Sequence, residues 1–340
     1  MKRKRKFKLC SRRGLIRLLM AFCLAGAAGV IYVFGIASPI RETTSLRVDD
    51  GASVSSVAAR LRAGDLITSV DTFKMAVRLH GGRVQSGLYD LPAGASVWRI
   101  ARMLARGRVA TTTIVIPEGL TIRQIKQQLL QSAALNGPVD CDAPDRAVCH
   151  LRDGDVFPDT YRVARGTNRL AVLELARQKM AQIQENWQNA GARAPAPLTT
   201  WNDVVTLASI VQKETPRVAE MPIVASVYLN RLRQKMRLQA DPTVVYAVTG
   251  GLGDMQGRPL LRGHVKTKNP YNTYVNHGLP PAPIANVGRA ALTAVLNPAD
   301  TNYLFFVADG AGGHRFARTY EEHRRNHADW RAIKKFQNKK

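Results

Sequence analysis

The chain has 340 residues, 45% hydrophobic and 6% aromatic, with a formal net charge of +25. This length supports one sizeable core or two modest ones once any anchor is set aside, so one or two soluble domains are expected. So basic a chain could suit nucleic acid, but the placement of the charge argues against that partner.

The first 17 residues, "MKRKRKFKLCSRRGLIR", are basic and contain no acid. Residues 18–37, "LLMAFCLAGAAGVIYVFGIA", carry no charge and match the length of a helix that crosses a bilayer. A cleaved signal peptide would have a shorter apolar core and a small-x-small cleavage site, of which "GIASPIRE" is a poor example. An uncleaved single-pass anchor is therefore expected. Its basic flank is cytoplasmic and everything after Ala37 lies outside the inner membrane, in the periplasm if the cell has two membranes. An exported domain rarely meets nucleic acid, so none is expected as a partner. The remaining cations, clustered in "HRRNHADWRAIKKFQNKK", are expected to form a solvated helix with a frayed end, the alternative being contact with anionic headgroups or an acidic wall polymer.

A repeat organises the first half. "GASVSSVAARL" from Gly51, "GASVWRIARML" from Gly94 and "GLTIRQIKQQL" from Gly119 share one spacing. Gly is followed two residues on by Ser or Thr, then by apolar positions that mark one helical face. The hydroxyl suits an N-cap. β-rich runs precede each copy, "TTSLRV", "SGLYDL" and "TTTIVI", so small strand, turn and helix modules are expected. Around Gly94 the sequence resembles the LysM peptidoglycan-binding module, which implies a glycan partner.

Cys10 and Cys23 fall in the flank and the anchor, whereas Cys141 and Cys149 lie close together in "CDAPDRAVC". In an oxidising compartment a disulfide closing that loop is expected, the alternative being two unpaired thiols. No metal-site neighbourhood surrounds them, so no metal is expected. Next come "GDVFPDTYRV", read as loop or strand, the amphipathic helix "LAVLELARQKMAQIQENW" and the connector "AGARAPAPLTT".

The chemistry centres on "LASIVQKETPRV", residues 207–218. Thr199 or Thr200 can cap a helix that ends before Pro216, with Val204, Leu207, Ala208 and Val211 as its apolar stripe. Glu214, four residues after Ile210, then falls on or beside the buried face, while Gln212 and Lys213 point elsewhere. A carboxyl there loses hydration and keeps its proton to higher pH, which is the condition for a general acid. An exposed Glu, or one paired with Arg, is the alternative.

A second helix, "PIVASVYLNRLRQKM", places Asn230 on one face with Ile223 and Val227 and sets Arg231 beside it. "RLQADPTVVYAV" and the loop "NPYNTYVNHGLPPAPIANVG" follow, rich in amides, hydroxyls and aromatic rings that suit a sugar chain. A loop that long is functional or disordered, and its Tyr and Pro content favours order. A hairpin is expected from Tyr303–Val307 and His314–Ala317, with His314 read as a structural or exposed histidine and a role in the site as the alternative.

"ASIVQKET", "VASVYLNRL", "RLQADPTVVYA", "YNTY", "GLPP" and "NYLFFVADGAGGHRF" follow one another as in the YceG-like family of membrane-anchored endolytic murein transglycosylases. The resemblance runs from the anchor to about Trp330. It implies that Glu214 of the "KET" element is catalytic, that Gln212 is not required, and that Asn230, Gln239, Asp241, Tyr246, Tyr271, Asn272, Thr273 and Tyr274 line the substrate. Ala282 and Val287 stand where relatives usually carry Gly and often Pro, and Asp153 where they carry Glu, which leaves local loop shape open.

The resemblance further implies lyase-type cleavage of the MurNAc–GlcNAc β-1,4 bond, with Glu214 as acid and then base and a 1,6-anhydro end as product. No cofactor is expected. The partners are peptidoglycan glycan strands, the inner membrane and neighbouring peptidoglycan synthases. Two other readings stay open, an inverting muramidase that uses Asp241 as second carboxylate and a non-catalytic wall-binding anchor; the D-P-T sequence also suits a turn in which Asp241 simply caps the backbone. The expected fold class is α+β. Basic residues 1–17 precede a transmembrane helix at 18–37, a LysM-like α+β subdomain at 38–135 and a mixed α/β catalytic domain at 136–340.

Overall fold

A computed structural model describes residues 39–141, 147–252, 255 and 257–337, with Met20 and Leu24. The expected basic segment 1–17 lies outside the described residues, as does the expected span 18–37 apart from those two. Among the described residues, no helix is long and apolar enough to cross a membrane. The chain divides into two compact units, residues 1–112 with 164–166, and residues 113–163 with 167–340.

In the first unit, β1 (Thr44–Val48) is followed by α1 (Val54–Ala63) and α2 (Val70–Leu79), then β2 (Gly87–Leu91) and α3 (Val97–Ala105). β1 and β2 are antiparallel, with Leu46 opposite Tyr89. Their inward residues meet Leu61, Phe73, Ile100 and Leu104 from the three helices in a closed core. The repeat has a local cause. Ser53 and Ser96 are N-caps whose side chains accept the amides of Ser56 and Arg99. Gly51 and Gly94, two residues earlier, have φ of +72° and +64°, a left-handed turn that a side chain disfavours.

The third copy has the same signature, with Gly119 at φ +77° and Thr121 capping in a reciprocal box with Gln124. It nevertheless belongs to the second unit. There β3 (Thr111–Val115) pairs with a later strand, β5 (Thr160–Ala164), and α4 (Ile122–Gln131) follows it. Ile114, Ile116, Ile125 and Leu129 pack against Val172 and Leu173, which places them in the second unit. Two short strands, β4 (Leu135–Asn136) and β6 (Thr167–Asn168), pair with each other in parallel, and α5 (Arg169–Asn189) completes this cluster. Cys141 and Cys149 are joined by a disulfide, with Cα atoms 5.5 Å apart, beside the same cluster.

The larger core is helical. α6 (Trp201–Glu214), α7 (Met221–Arg233), α8 (Asp241–Thr249), the short α9 (Arg262–Val265) and α10 (Arg289–Leu296) follow in order. α6 packs on α7, α8 and α10 together, so every residue from Val204 to Val211 is buried, not one stripe alone. A helix apolar all round belongs inside a core. The hairpin of β7 (Phe305–Ala308) and β8 (His314–Ala317) starts two residues later than expected, with Phe306 opposite Phe316. α11 (Tyr320–Gln337) packs on both strands, so the basic C-terminal cluster is helical as far as Gln337.

Between α9 and α10 the chain has no regular element for some 20 residues, yet Asn272, Thr273 and Asn286 inside it are fully buried. Ser209 of α6 pins this loop by accepting the Ile284 amide at 3.0 Å. Asn286 ties it to a distant segment, accepting the amides of Gly154 and Val156 and donating to the Leu120 carbonyl. Buried polar groups that all find partners hold an irregular loop in one conformation.

Candidate active site

Thr200, with Asp203 as its capping-box partner, starts α6, and Pro216 ends it just after Glu214. Glu214 is therefore carried out of the core on the last turn of a helix that is buried from Val204 to Val211. It lines two cavities, one of ≈ 300 Å³ with Pro242, Val245 and Ile284, the other of ≈ 350 Å³ with Tyr228, Gln239 and Tyr274. The residue as a whole is half-buried, but Oε2 is shut off from solvent and has no hydrogen-bond partner.

Burial first, and the charge of Asp241 second, push the Glu214 carboxyl up to about 7, while the Tyr228 hydroxyl and the Arg231 charge oppose them. The group is thus poised between protonated and ionised forms near neutrality. Arg231 is not its salt-bridge partner. The guanidinium donates to the carbonyls of Leu304 at 2.6 Å and Leu238 at 2.7 Å and lies over the Phe305 ring. It is a fixed positive field behind the site.

Asp241 is the first residue of α8 and lines both cavities with Glu214. It caps no backbone amide of the helix. Its Oδ1 accepts the Tyr274 hydroxyl at 2.6 Å, and the turn expected from D-P-T is instead a helix start with Pro in its first turn. Gln239 reaches the second cavity from a left-handed backbone, φ +48°, which costs a non-glycine residue about 1 kcal/mol or more. On the other side, Tyr246 lies against the Tyr271 ring, centroids 4.8 Å apart, and donates to Asp153 at 2.7 Å. Asp153 also accepts the Ile122 amide, and burial raises its pKa.

Among the described residues, no group of three or more His, Cys, Asp and Glu side chains could hold a metal ion. The residues around Glu214 lie within positions 46–329, the stretch matched by the profile of the YceG-like family. The chain belongs to the YceG-like family. It is similar to a Bacillus subtilis (strain 168) protein named endolytic murein transglycosylase, 29% identical over 83% of each chain. A Streptococcus pneumoniae (strain D39) protein of the same name is 25% identical over 93% of this chain, which spans only 64% of that longer relative. A solved YceG-like protein from Listeria monocytogenes is 24% identical, covering 84% of this chain and 99% of that one, with a TM-score of 0.49.

In this YceG-like chain, the polar residues expected around the substrate separate into two groups. Gln239, Asp241, Tyr246 and Tyr274 line the cavities that Glu214 shares, and Tyr271 supports Tyr246. The polar groups of Asn230, Asn272 and Thr273 are engaged within the protein. Asn230 donates to the carbonyls of Thr301 and Tyr303, Asn272 to those of Val265 and Thr267, and Thr273 accepts the Ala240 amide. These contacts build the walls and leave little for a ligand. Gln212 accepts the Gly288 amide and Lys213 donates to the Gly119 carbonyl, so both brace the helix end. His314 bonds to Glu220 at 2.8 Å.

The sequence reading passes over Tyr228 and Asn286. Tyr228, wholly buried, shares the second cavity with Glu214. Its spacing of three from Arg231 on α7 was a legible sign that the two share a face. Nothing local marks Asn286, whose partners are more than 100 residues away.

Proposed function

We propose that this chain is a membrane-anchored endolytic lytic transglycosylase of peptidoglycan, with Glu214 as its catalytic acid and base. The observation that carries the reading is the Glu214 carboxyl, unpartnered at Oε2, at the meeting of two cavities and pushed up to about 7 by burial. In the first step protonated Glu214 gives its proton to the glycosidic oxygen, the C1–O bond of MurNAc breaks, and the GlcNAc side leaves as an alcohol. The sugar develops oxocarbenium charge as the carboxylate forms, which the Tyr228 hydroxyl and the Arg231 charge favour. In the second step Glu214 takes the proton of the muramyl C6 hydroxyl, whose oxygen closes on C1 as a 1,6-anhydro ring. No water is consumed and Glu214 ends protonated, ready for the next bond.

In this reading Asp241 is an electrostatic neighbour, clamped by Tyr274, that keeps the Glu214 proton in place. Asp241→Asn removes the like charge, so the alkaline limb of the pH profile of kcat/KM moves to lower pH and the products remain anhydro-ended. A hydrolase with Asp241 as water-activating base would instead lose activity at every pH. The repeat-bearing residues 38–135, similar to LysM, would hold glycan, and residues 18–37 would tether the cleft where strands emerge from the synthases. Cleavage there would limit the length of new strands.

Mass spectrometry of the muropeptides released from uncrosslinked glycan strands tests the assignment. Ends one water lighter than the hydrolytic product, absent with Glu214→Gln, are the expected result. Ends that carry the added water would make the protein a muramidase, and intact strands that stay bound would make it a non-catalytic wall binder.

A further inference from the structure

A second cavity, of ≈ 970 Å³, lies in the second unit and is not lined by Glu214. Its floor is a pair of tryptophans, Trp187 from α5 and Trp201 from α6, with ring centroids 5.3 Å apart. Gln184, Gln188, Asn202 and Thr199 surround them. Flat rings bordered by side-chain amides and hydroxyls match the alternating apolar faces and hydroxyl edges of a saccharide.

The charges at this cavity are already balanced. Arg152 and Arg177 line it together with Asp153 and Asp155, and Arg177 forms a two-pronged pair with Glu174 at 2.7 and 2.8 Å. The α6 N-terminus at its rim is closed as well, because Thr200 accepts the Asp203 amide and Asp203 accepts those of Thr199 and Thr200. A neutral ligand fits this place better than an anion.

A shared wall joins the cavity to the Glu214 cleft. Asp153 lines the large cavity, and its carboxylate holds the hydroxyl of Tyr246, which lines the cleft. Pro283 lines the first and the next residue, Ile284, the second. The geometry points to a distal saccharide subsite. The N-acetylated sugars of a glycan strand, several units from the bond being cut, rest on Trp187 and Trp201. This inference rests on the glycan-strand reading of the Glu214 site and extends it to a preference for long strands.

The test compares kcat/KM on peptide-free glycan strands and on a tetrasaccharide of the same repeat, for the wild type and for Trp187→Leu, which keeps an apolar side chain and loses the flat ring. The ratio of long-strand to tetrasaccharide kcat/KM is expected to fall about tenfold, chiefly through KM, the scale of one lost aromatic contact. In the Glu214→Gln background, long strands should change tryptophan fluorescence, and adding Trp187→Leu should remove that change. A folded Trp187→Leu protein with an unchanged ratio and an unchanged fluorescence response overturns the subsite. Should that variant not fold, Gln188→Ala, exposed on the same cavity, is read in the same way. If the wild type cleaves neither substrate, the proposed activity fails, and the fluorescence titration still decides the subsite.

Discussion

Glu214→Gln is expected to lose activity by about 10³-fold or more and yet to melt at a higher temperature than the wild type at pH 8. The loss follows from the two proton transfers assigned to this one carboxyl, since an amide supports neither. The gain follows from burial. The carboxyl is held at about 7 against an ordinary value of 4.5, so between those limits the folded protein keeps a proton that the unfolded chain has released. Stability from this group is complete below about pH 4.5 and falls as pH rises through 7. Above that the folded state must contain an anion whose Oε2 has no partner, at a cost on the order of 3 kcal/mol. Glutamine carries no charge and escapes that cost. Melting curves of the two proteins should nearly coincide at pH 4.5 and separate by several degrees at pH 8. Equal melting temperatures at both pH values would mean that the carboxyl is solvated, and the acid role would lose its electrostatic basis.

Asn286→Ala is expected to destabilise the protein by about 3–5 kcal/mol, read as a fall in the denaturant midpoint at constant slope. The side chain is fully buried and makes three hydrogen bonds, to the amides of Gly154 at 2.9 Å and Val156 at 3.3 Å and to the Leu120 carbonyl at 2.9 Å. Alanine would leave all three backbone groups without that partner inside the protein. The loss should reach the site, because Gly154 follows Asp153, whose carboxylate holds Tyr246 at the cleft. Asn286→Asp should also be destabilising, since it keeps an acceptor for the two amides and turns an oxygen toward the Leu120 carbonyl. A midpoint shift worth less than about 1 kcal/mol for the alanine variant would show that the clamp is replaceable.

What the sequence determined by itself is local. Ser53, Ser96, Thr121 and Thr200 cap helices because each can reach an amide three residues ahead, and Gly51, Gly94 and Gly119 turn the chain left-handed just before three of them. Pro216 ends α6, so the position of Glu214 on its last turn was legible from spacing alone. Such features depend on neighbours within about four residues, whose geometry the backbone dictates.

Only the tertiary structure decided the rest. Asn230, Asn272 and Thr273 have side chains that suit a sugar, yet the carbonyls and amides nearest them belong to the protein. The third repeat copy keeps the local signature of the other two but joins the second unit, because Ile125 and Leu129 meet Val172 and Leu173 there. The elevated proton affinity of Glu214 depends on burial by several helices and on Asp241, 27 positions further along the chain. Hydration and charge are summed over space, and a one-dimensional pattern does not contain those distances.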